Sequence, residues 1–255
     1  MKTKELWCIP KIWDDCECFI IGGGYSLIYQ FSLPFNSSPT TKEEYEQFGN
    51  LIKSYFSGKK VIGVNNAFML GNWIDVAFWG DSAQYFNYKN QYDSFSGLKV
   101  TCHPKYENDP IPGVKYIKRY REKKTGLTSK RKFVVWNYNS GACSINLAYH
   151  LGARKIYLLG FDMYTDPKHN RTHWHSGYPN KRNTPTVKDK KRGKKETVRE
   201  CTKEIKPPYD RHMRGFKDIA DQAVNLGVHI INFNPNSRID TFQKENLFSY
   251  FGWGK

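Results

Sequence analysis

Cys18-Phe19-Ile20-Ile21 runs straight into Gly22-Gly23-Gly24-Tyr25-Ser26-Leu27. A short apolar run that breaks into glycines and then a serine is how a strand turns into a phosphate-cradling loop. Backbone N–H groups approach an anion closely only where side chains are absent, and the start of a following helix adds positive potential. Glycine turns between strand and helix also occur without any ligand, so the triplet alone leaves both readings open. Proton transfer needs a side chain titrating near neutrality, and histidine, with an ordinary pKa of about 6.5, is the first candidate. His212 stands at the start of an amphipathic stretch, and His169, His173 and His175 cluster some forty residues earlier. His173-Trp174-His175 puts two imidazoles on one side of an extended segment, a spacing compatible with a metal pair. Alternatively Trp174 packs down and aims one imidazole at a substrate. His103, His150 and His229 fall in strand-end or helix contexts, where a packed or surface role is expected.

The elements that must position these groups follow from periodicity. Strands are expected at Cys18–Ile21, Lys60–Val64, Asp75–Phe78, Leu98–Thr101, Val114–Ile117, Phe133–Trp136, Arg154–Leu159 and Val228–Phe233, with helices at Glu43–Phe56, Ser140–Leu151 and about Arg211–Asn225. Such alternation predicts an α/β fold: a single Rossmann-like domain over residues 1–255 with a mainly parallel sheet. Residues 165–209 lack a core periodicity and carry five prolines, which predicts a long basic lid or flexible insertion within that domain. Ser26, Asn65-Asn66, Asp81, and Asp162 with Tyr164 each follow a strand. Each suits a cap or turn on local grounds. Their recurrence on one sheet edge predicts a shared nucleotide cleft of Gly22, Gly23, Gly24, Ser26, Asn65, Asn66, Ser140, Gly141 and Asp162.

Charge narrows the partner. The 255 residues hold 40 Lys+Arg against 24 Asp+Glu, a net +16, and Lys115–Lys132 and Lys181–Lys206 supply nearly all of it. Concentrated positive potential attracts polyanions by counterion release, whereas a single nucleotide needs only a few cations. Lys118, Arg119 and Arg121, interleaved with Tyr116 and Tyr120, and Lys190, Lys191 and Arg192 in the lid are therefore expected to hold an acidic acceptor, together with His173 and His175. An idle basic surface is the competing explanation. No apolar run reaches the ~18 residues of a membrane span, and the N-terminus lacks the apolar centre of a secretion signal, so a cytoplasmic protein is expected. Six scattered cysteines fit reduced thiols, and Cys16-Glu17-Cys18 has the wrong spacing for a zinc knuckle.

These blocks resemble those of the bacterial sialyltransferases that build sialylated lipooligosaccharide. Gly22-Gly23-Gly24-Tyr25-Ser26-Leu27 is similar to their first loop, Gly-Asn-Gly-Pro-Ser-Leu, with Gly23 and Tyr25 replacing its Asn and Pro. Val64-Asn65-Asn66-Ala67-Phe68 resembles their second-strand motif. Asn139-Ser140-Gly141, the run from Leu151 to Tyr164 ending Gly160-Phe161-Asp162-Met163-Tyr164, and Asn234-Pro235-Asn236-Ser237 resemble later blocks. Related blocks occur in archaeal hydroxymethylpterin pyrophosphokinases and in phage proteins. The resemblance covers residues 18–164 and 210–240. It implies a nucleotide-binding transferase in which Asn65, Ser140 and Gly141 contact the donor nucleotide, Tyr164 assists the departing phosphate and His212 is the general base.

The leading expectation is a glycosyltransferase using a CMP- or UDP-linked sugar, without a required metal, on an acidic acceptor; phage DNA bearing a base hydroxyl, modified in the host cytoplasm, is one such acceptor. A second is a Mg²⁺-dependent diphosphotransferase acting on a small heterocycle, with Asp81 and Asp162 facing the metal. The third is a nucleic-acid-binding protein that keeps the fold without the chemistry.

Overall fold

Strands that are apolar along their whole length need cover on both faces, and the chain supplies it. The computed structural model describes residues 6–32, 39–176 and 208–252. Its strands are β1 (Glu17–Ile21), β2 (Lys60–Val64), β3 (Val76–Trp79), β4 (Leu98–Thr101), β5 (Val114–Tyr116), β6 (Lys118–Arg119), β7 (Phe133–Val134), β8 (Lys155–Leu159), β9 (His229–Asn232) and β10 (Gln243–Lys244). Its helices are α1 (Ser26–Gln30), α2 (Lys42–Ile52), α3 (Ser82–Asn87), α4 (Lys89–Ser94), α5 (Ser140–Leu151), α6 (Tyr209–Met213), α7 (Phe216–Asn225) and α8 (Leu247–Phe251). Eight strands form one sheet in the order β10-β9-β8-β1-β2-β3-β4-β5, all parallel, while β6 and β7 pair separately. The fold is α/β and Rossmann-like in its parallel sheet.

The strand order decides where a ligand can sit. The chain steps outward from β1 to β5 and then returns through α5 to β8, on the other side of β1. The order therefore reverses between β1 and β8, and the crevice beyond the C-terminal ends of those two strands is where open α/β sheets bind ligands.

Two apolar layers hold the sheet. Ile20, Ile62, Phe78 and Leu158 meet Ala142, Ile145 and Ala148 of α5 and Phe216 and Ile219 of α7 on one face. Phe19, Ile21, Trp79 and Leu159 meet Tyr45 and Phe48 of α2 and Tyr92 of α4 on the other. Each fully buried side chain of this size contributes about 1.5–3 kcal/mol. Small residues let α5 lie across β1, β2 and β3, and Gly152, in the left-handed region, ends it.

Several elements differ from expectation for local reasons. The helix expected over Arg211–Asn225 is two, α6 and α7, divided at Arg214-Gly215, where Gly215 packs on the Asn137 side chain, within 2.6 Å of where a Cβ would stand. The last turn of Glu43–Phe56 is a 3-10 turn, Lys53–Phe56, following α2, whose start carries a Thr41–Glu44 capping box. The short helices α3 and α4 were outside the expected pattern. Among the described residues, no helix is long and apolar enough to cross a membrane. Cys8, Cys16, Cys18, Cys102 and Cys143 are free thiols.

Candidate functional site

β1 and β8 run in register to Ile21 opposite Leu159, so the glycine loop and Gly160-Phe161-Asp162 leave the sheet side by side. Gly22 N donates to Leu159 O and Gly24 N to Gly160 O, each at 2.8 Å. From another direction Trp174 N donates to Gly23 O at 3.1 Å and Trp174 Nε1 to Gly22 O at 2.9 Å, while Gly24 bridges His173. A Cβ on Gly24 would lie 2.5 Å from both Gly160 O and Asp162 Cγ. The glycines are there because two segments press on one backbone. That corrects the phosphate-cradle expectation in its mechanism: the amides of Gly22 and Gly24 already donate within the protein.

The helix start after the loop is also occupied from within. Ser26 N donates to Asp162 Oδ2 at 2.8 Å, Ser26 Oγ donates to Asp162 Oδ1, and Asn234 Nδ2 donates to Oδ1 at 2.8 Å. The anion at the N-terminus of α1 is thus the protein's own carboxylate. Burial pushes the Asp162 pKa up, against the pull of these donors. Ser26 and Asp162 knot the ends of β1, β8 and the 234–237 turn together, and both carboxylate oxygens are committed there.

Beyond this knot opens a cleft of about 380 Å³, within the size range of small-ligand sites. Gly22, Gly23, Gly24, Asn65, Ser140, Gly141, Asp162, Tyr164, His173 and His212, brought from six separate parts of the chain, all line it. Ser26 and Asn66 do not. Asn66 is fully buried, accepting from Gln84 Nε2 at 2.6 Å beneath α2 and α3. His175 is buried as well, against Tyr45 and Trp174, so the two lid-root imidazoles, 5.4 Å apart, have different surroundings.

His212 is half-buried, and burial together with the neighbouring Arg211 charge holds its imidazole below the usual value. His173 is pulled down to about 4 by burial and by His212. Both are therefore neutral at neutral pH, the form a general base requires. Asn139 positions the pair of elements involved. Its Oδ1 accepts from Gly141 N at 2.7 Å, starting α5, and its Nδ2 reaches His212 O at 3.5 Å. Tyr164 is held by Tyr209, whose hydroxyl donates to its carbonyl at 3.0 Å; burial pushes the Tyr164 phenol up while a hydrogen bond with Asn234 acts the other way.

Asn65 has a left-handed backbone at φ 53°, and its Oδ1 is a buried acceptor with no hydrogen-bond partner among the described residues. Such an atom costs about 1–3 kcal/mol unless something donates to it. Asn137 and Tyr138 are also left-handed, at φ 54° and 56°. The Asn137 side chain fixes that bend by accepting from Gly126 N at 2.6 Å and donating to Gly126 O and Val135 O at 3.0 Å. Trp136 and Tyr138, on either side of Asn137, line the cleft.

From the first basic segment Arg119 braces this wall, while Lys118 is engaged outside the cleft. Lys118 pairs with Glu107 at 2.5 Å; the Arg119 guanidinium lies 3.7 Å from the Trp136 ring and donates to Gly80 O at 2.6 Å. Arg121 is exposed. Lys190, Lys191 and Arg192, with all of Lys181–Lys206, lie outside the described residues. Asp81 lines the cleft while capping α3 through its Oδ1, which accepts from Ala83 N at 3.0 Å, whereas Asp162 has both oxygens engaged and is not an open metal ligand. Among the described residues no group of three or more His, Cys, Asp and Glu could hold a metal. Trp136, Tyr138, Thr172, Tyr209 and Arg211 line the cleft without having been singled out in the sequence. For Arg211 the signal was its position beside His212.

No family model and no curated protein matches the chain. Two solved structures that resemble it are of the sialyltransferase CstII from Campylobacter jejuni. The one in complex with the substrate analogue cytidine-5'-monophosphate has a TM-score of 0.47 and 14% identity, over 91% of this chain and 85% of that one. The one in complex with CMP-3FNeuAc has a TM-score of 0.43 and 14% identity, over 91% and 86%. Likeness at this level says nothing of which residues act.

Proposed function

We propose that the chain is a glycosyltransferase that takes a CMP- or UDP-linked sugar in the cleft between β1 and β8 and transfers the sugar to a hydroxyl of an anionic acceptor. The observation that carries this reading is the convergence of Asn65, Ser140, Gly141, Tyr164 and His212, distant in sequence, on one 380 Å³ cleft at the reversal of strand order. In that reaction His212 takes the proton from the acceptor hydroxyl as its oxygen attacks the anomeric carbon. The bond from that carbon to the nucleotide phosphate oxygen breaks, and the departing phosphate keeps the electron pair beside the Tyr164 hydroxyl. Asn65 Oδ1 takes a hydrogen bond from the nucleotide, and Ser140 and Gly141 lie along it. The net +16 favours an acidic acceptor, of which DNA bearing a base hydroxyl is one. The alternative transfer of a diphosphate by a Mg²⁺ held on Asp81 and Asp162 is less favoured because both Asp162 oxygens are engaged by Ser26 and Asn234.

Calorimetry with CMP, UDP and ATP tests the donor. One of the pyrimidine nucleotides is expected to bind, and Asn65→Ala to weaken it by about tenfold for one lost buried hydrogen bond, with the fold intact by circular dichroism. Binding of ATP alone, or nucleotide binding indifferent to Asn65→Ala, would contradict the assignment.

A further inference from the structure

Among the described residues, the cleft contains a cation with no ion pair. Arg211, exposed on α6, lines the cleft beside His212, and among the described residues its guanidinium has no hydrogen bond or ion pair. The arginines around it are engaged. Arg119 lies on Trp136, Arg214 stands over the Tyr138 ring at 5.8 Å, and Arg238 pairs with Asp210, the residue just before Arg211. Of the cleft carboxylates, Asp162 is engaged in its knot with Ser26 and Asn234, and Asp81 caps α3 through Oδ1 with no ion pair to Arg211 among the described residues. A guanidinium presents paired donors that match the oxygens of phosphate or carboxylate.

We propose that Arg211 is an anion subsite, a specificity-determining residue that takes a phosphate or carboxylate group of the substrate next to the general base. This rests on the glycosyltransferase reading for what the substrate is, but not for the site itself. The site couples to the base. The Arg211 charge is one of the two causes that hold His212 down, so an anion bound there raises the imidazole toward its ordinary value. The other titratable groups of the cleft are Tyr209, on α6 itself, and His173, Tyr164, Asp81 and Asp162, on other parts of the chain.

The test is an NMR titration of the full chain with labelled histidine, following His212 from pH 5 to 9 with and without inorganic phosphate. Phosphate is expected to raise the His212 midpoint by roughly half a unit, the size of one unit charge acting at about 6 Å through water. In Arg211→Gln the midpoint should already be raised and stay unmoved by phosphate, while Arg211→Lys keeps the response. No phosphate response in the unaltered protein, or an equal response in Arg211→Gln, would overturn the proposal. Kinetics then separates the sources of the anion: a raised donor KM in Arg211→Gln assigns the subsite to the donor phosphate, a raised acceptor KM to an acidic group of the acceptor. A phosphate response in a protein that binds no pyrimidine nucleotide leaves the subsite standing and removes the glycosyltransferase reading instead.

Discussion

Gly24 shows how a residue visible in the sequence can matter for a different reason than its type suggests. A methyl group there would sit 2.5 Å from the Gly160 carbonyl and the Asp162 carboxyl carbon, both held in place by hydrogen bonds. Overpacking of that kind costs about 1–3 kcal/mol. Gly24→Ala should therefore lower the midpoint of thermal unfolding measurably. At Gly23 an added methyl meets the edge of the His173 ring, 2.8 Å away, so Gly23→Ala should shift the His173 side chain while sparing stability. The glycine triplet was legible, and its place at the mouth of the cleft follows from it. That its amides face Leu159 and Gly160 was not, because those partners are remote in sequence and meet it only through the parallel register of β1 and β8. Asp162 was legible in the same incomplete way: its position after a strand placed it at the edge, but its pairing with Ser26 and Asn234 depends on the fold.

Among elements, the buried strands were readable because full burial on both faces leaves unbroken apolar runs such as Ile156–Leu159, and α5 because Asn139 and Gly152 bracket it. The root of the expected lid, from residue 165 to 176, has local structure that periodicity does not show. Residues 164–176 lack hydrophobic periodicity since they are fixed instead by bridges of Gly24 with His173 and Asp166 with Arg171, and by Trp174, which is fully buried against Phe48. At the opposite edge of the sheet Glu17, at the start of β1, gathers Lys59 at 2.5 Å, Tyr250 of α8 at 2.8 Å and Tyr157 of β8 at 2.9 Å. Burial alone would raise its pKa, but the Lys59 ammonium and the tyrosine hydroxyls outweigh it and hold the carboxyl below its ordinary 4.5. A lowered folded value means the stabilisation is complete above the unfolded pKa and is lost as pH falls through the folded one. Unfolding by urea should show stability falling below about pH 4.5, with a shallower fall in Glu17→Gln. At pH 7 that variant should lose about 1 kcal/mol, the contribution of hydrogen bonds to a charged group reduced by partial exposure.

For the whole molecule, the reversal of strand order places the cleft, and the pieces around it arrive from the ends of β1, β2 and β8, from the N-terminus of α5 and from α6. The strand-end positions could be read one at a time, since each polar residue follows a predicted strand. The aromatic wall could not. Trp136 and Tyr138 face the cleft by virtue of two consecutive left-handed residues braced on Gly126, a bend with no periodic signature. Charge was legible as a total, but its pairing was not: Lys118 is paired with Glu107 and Arg119 is braced on the cleft wall, while Arg211, in neither basic run, lines the cleft without an ion pair among the described residues. The account stands or falls on His212 as the base acting on the acceptor. The measurement is the split between turnover and donor affinity in His212→Ala, with donor binding read by calorimetry on the same preparation. Turnover should fall by about 10²–10⁴ with the donor dissociation constant unchanged, since a general base acts on the acceptor and not on the nucleotide. Full turnover in His212→Ala, or a loss of donor binding that accounts for the whole effect, would contradict it.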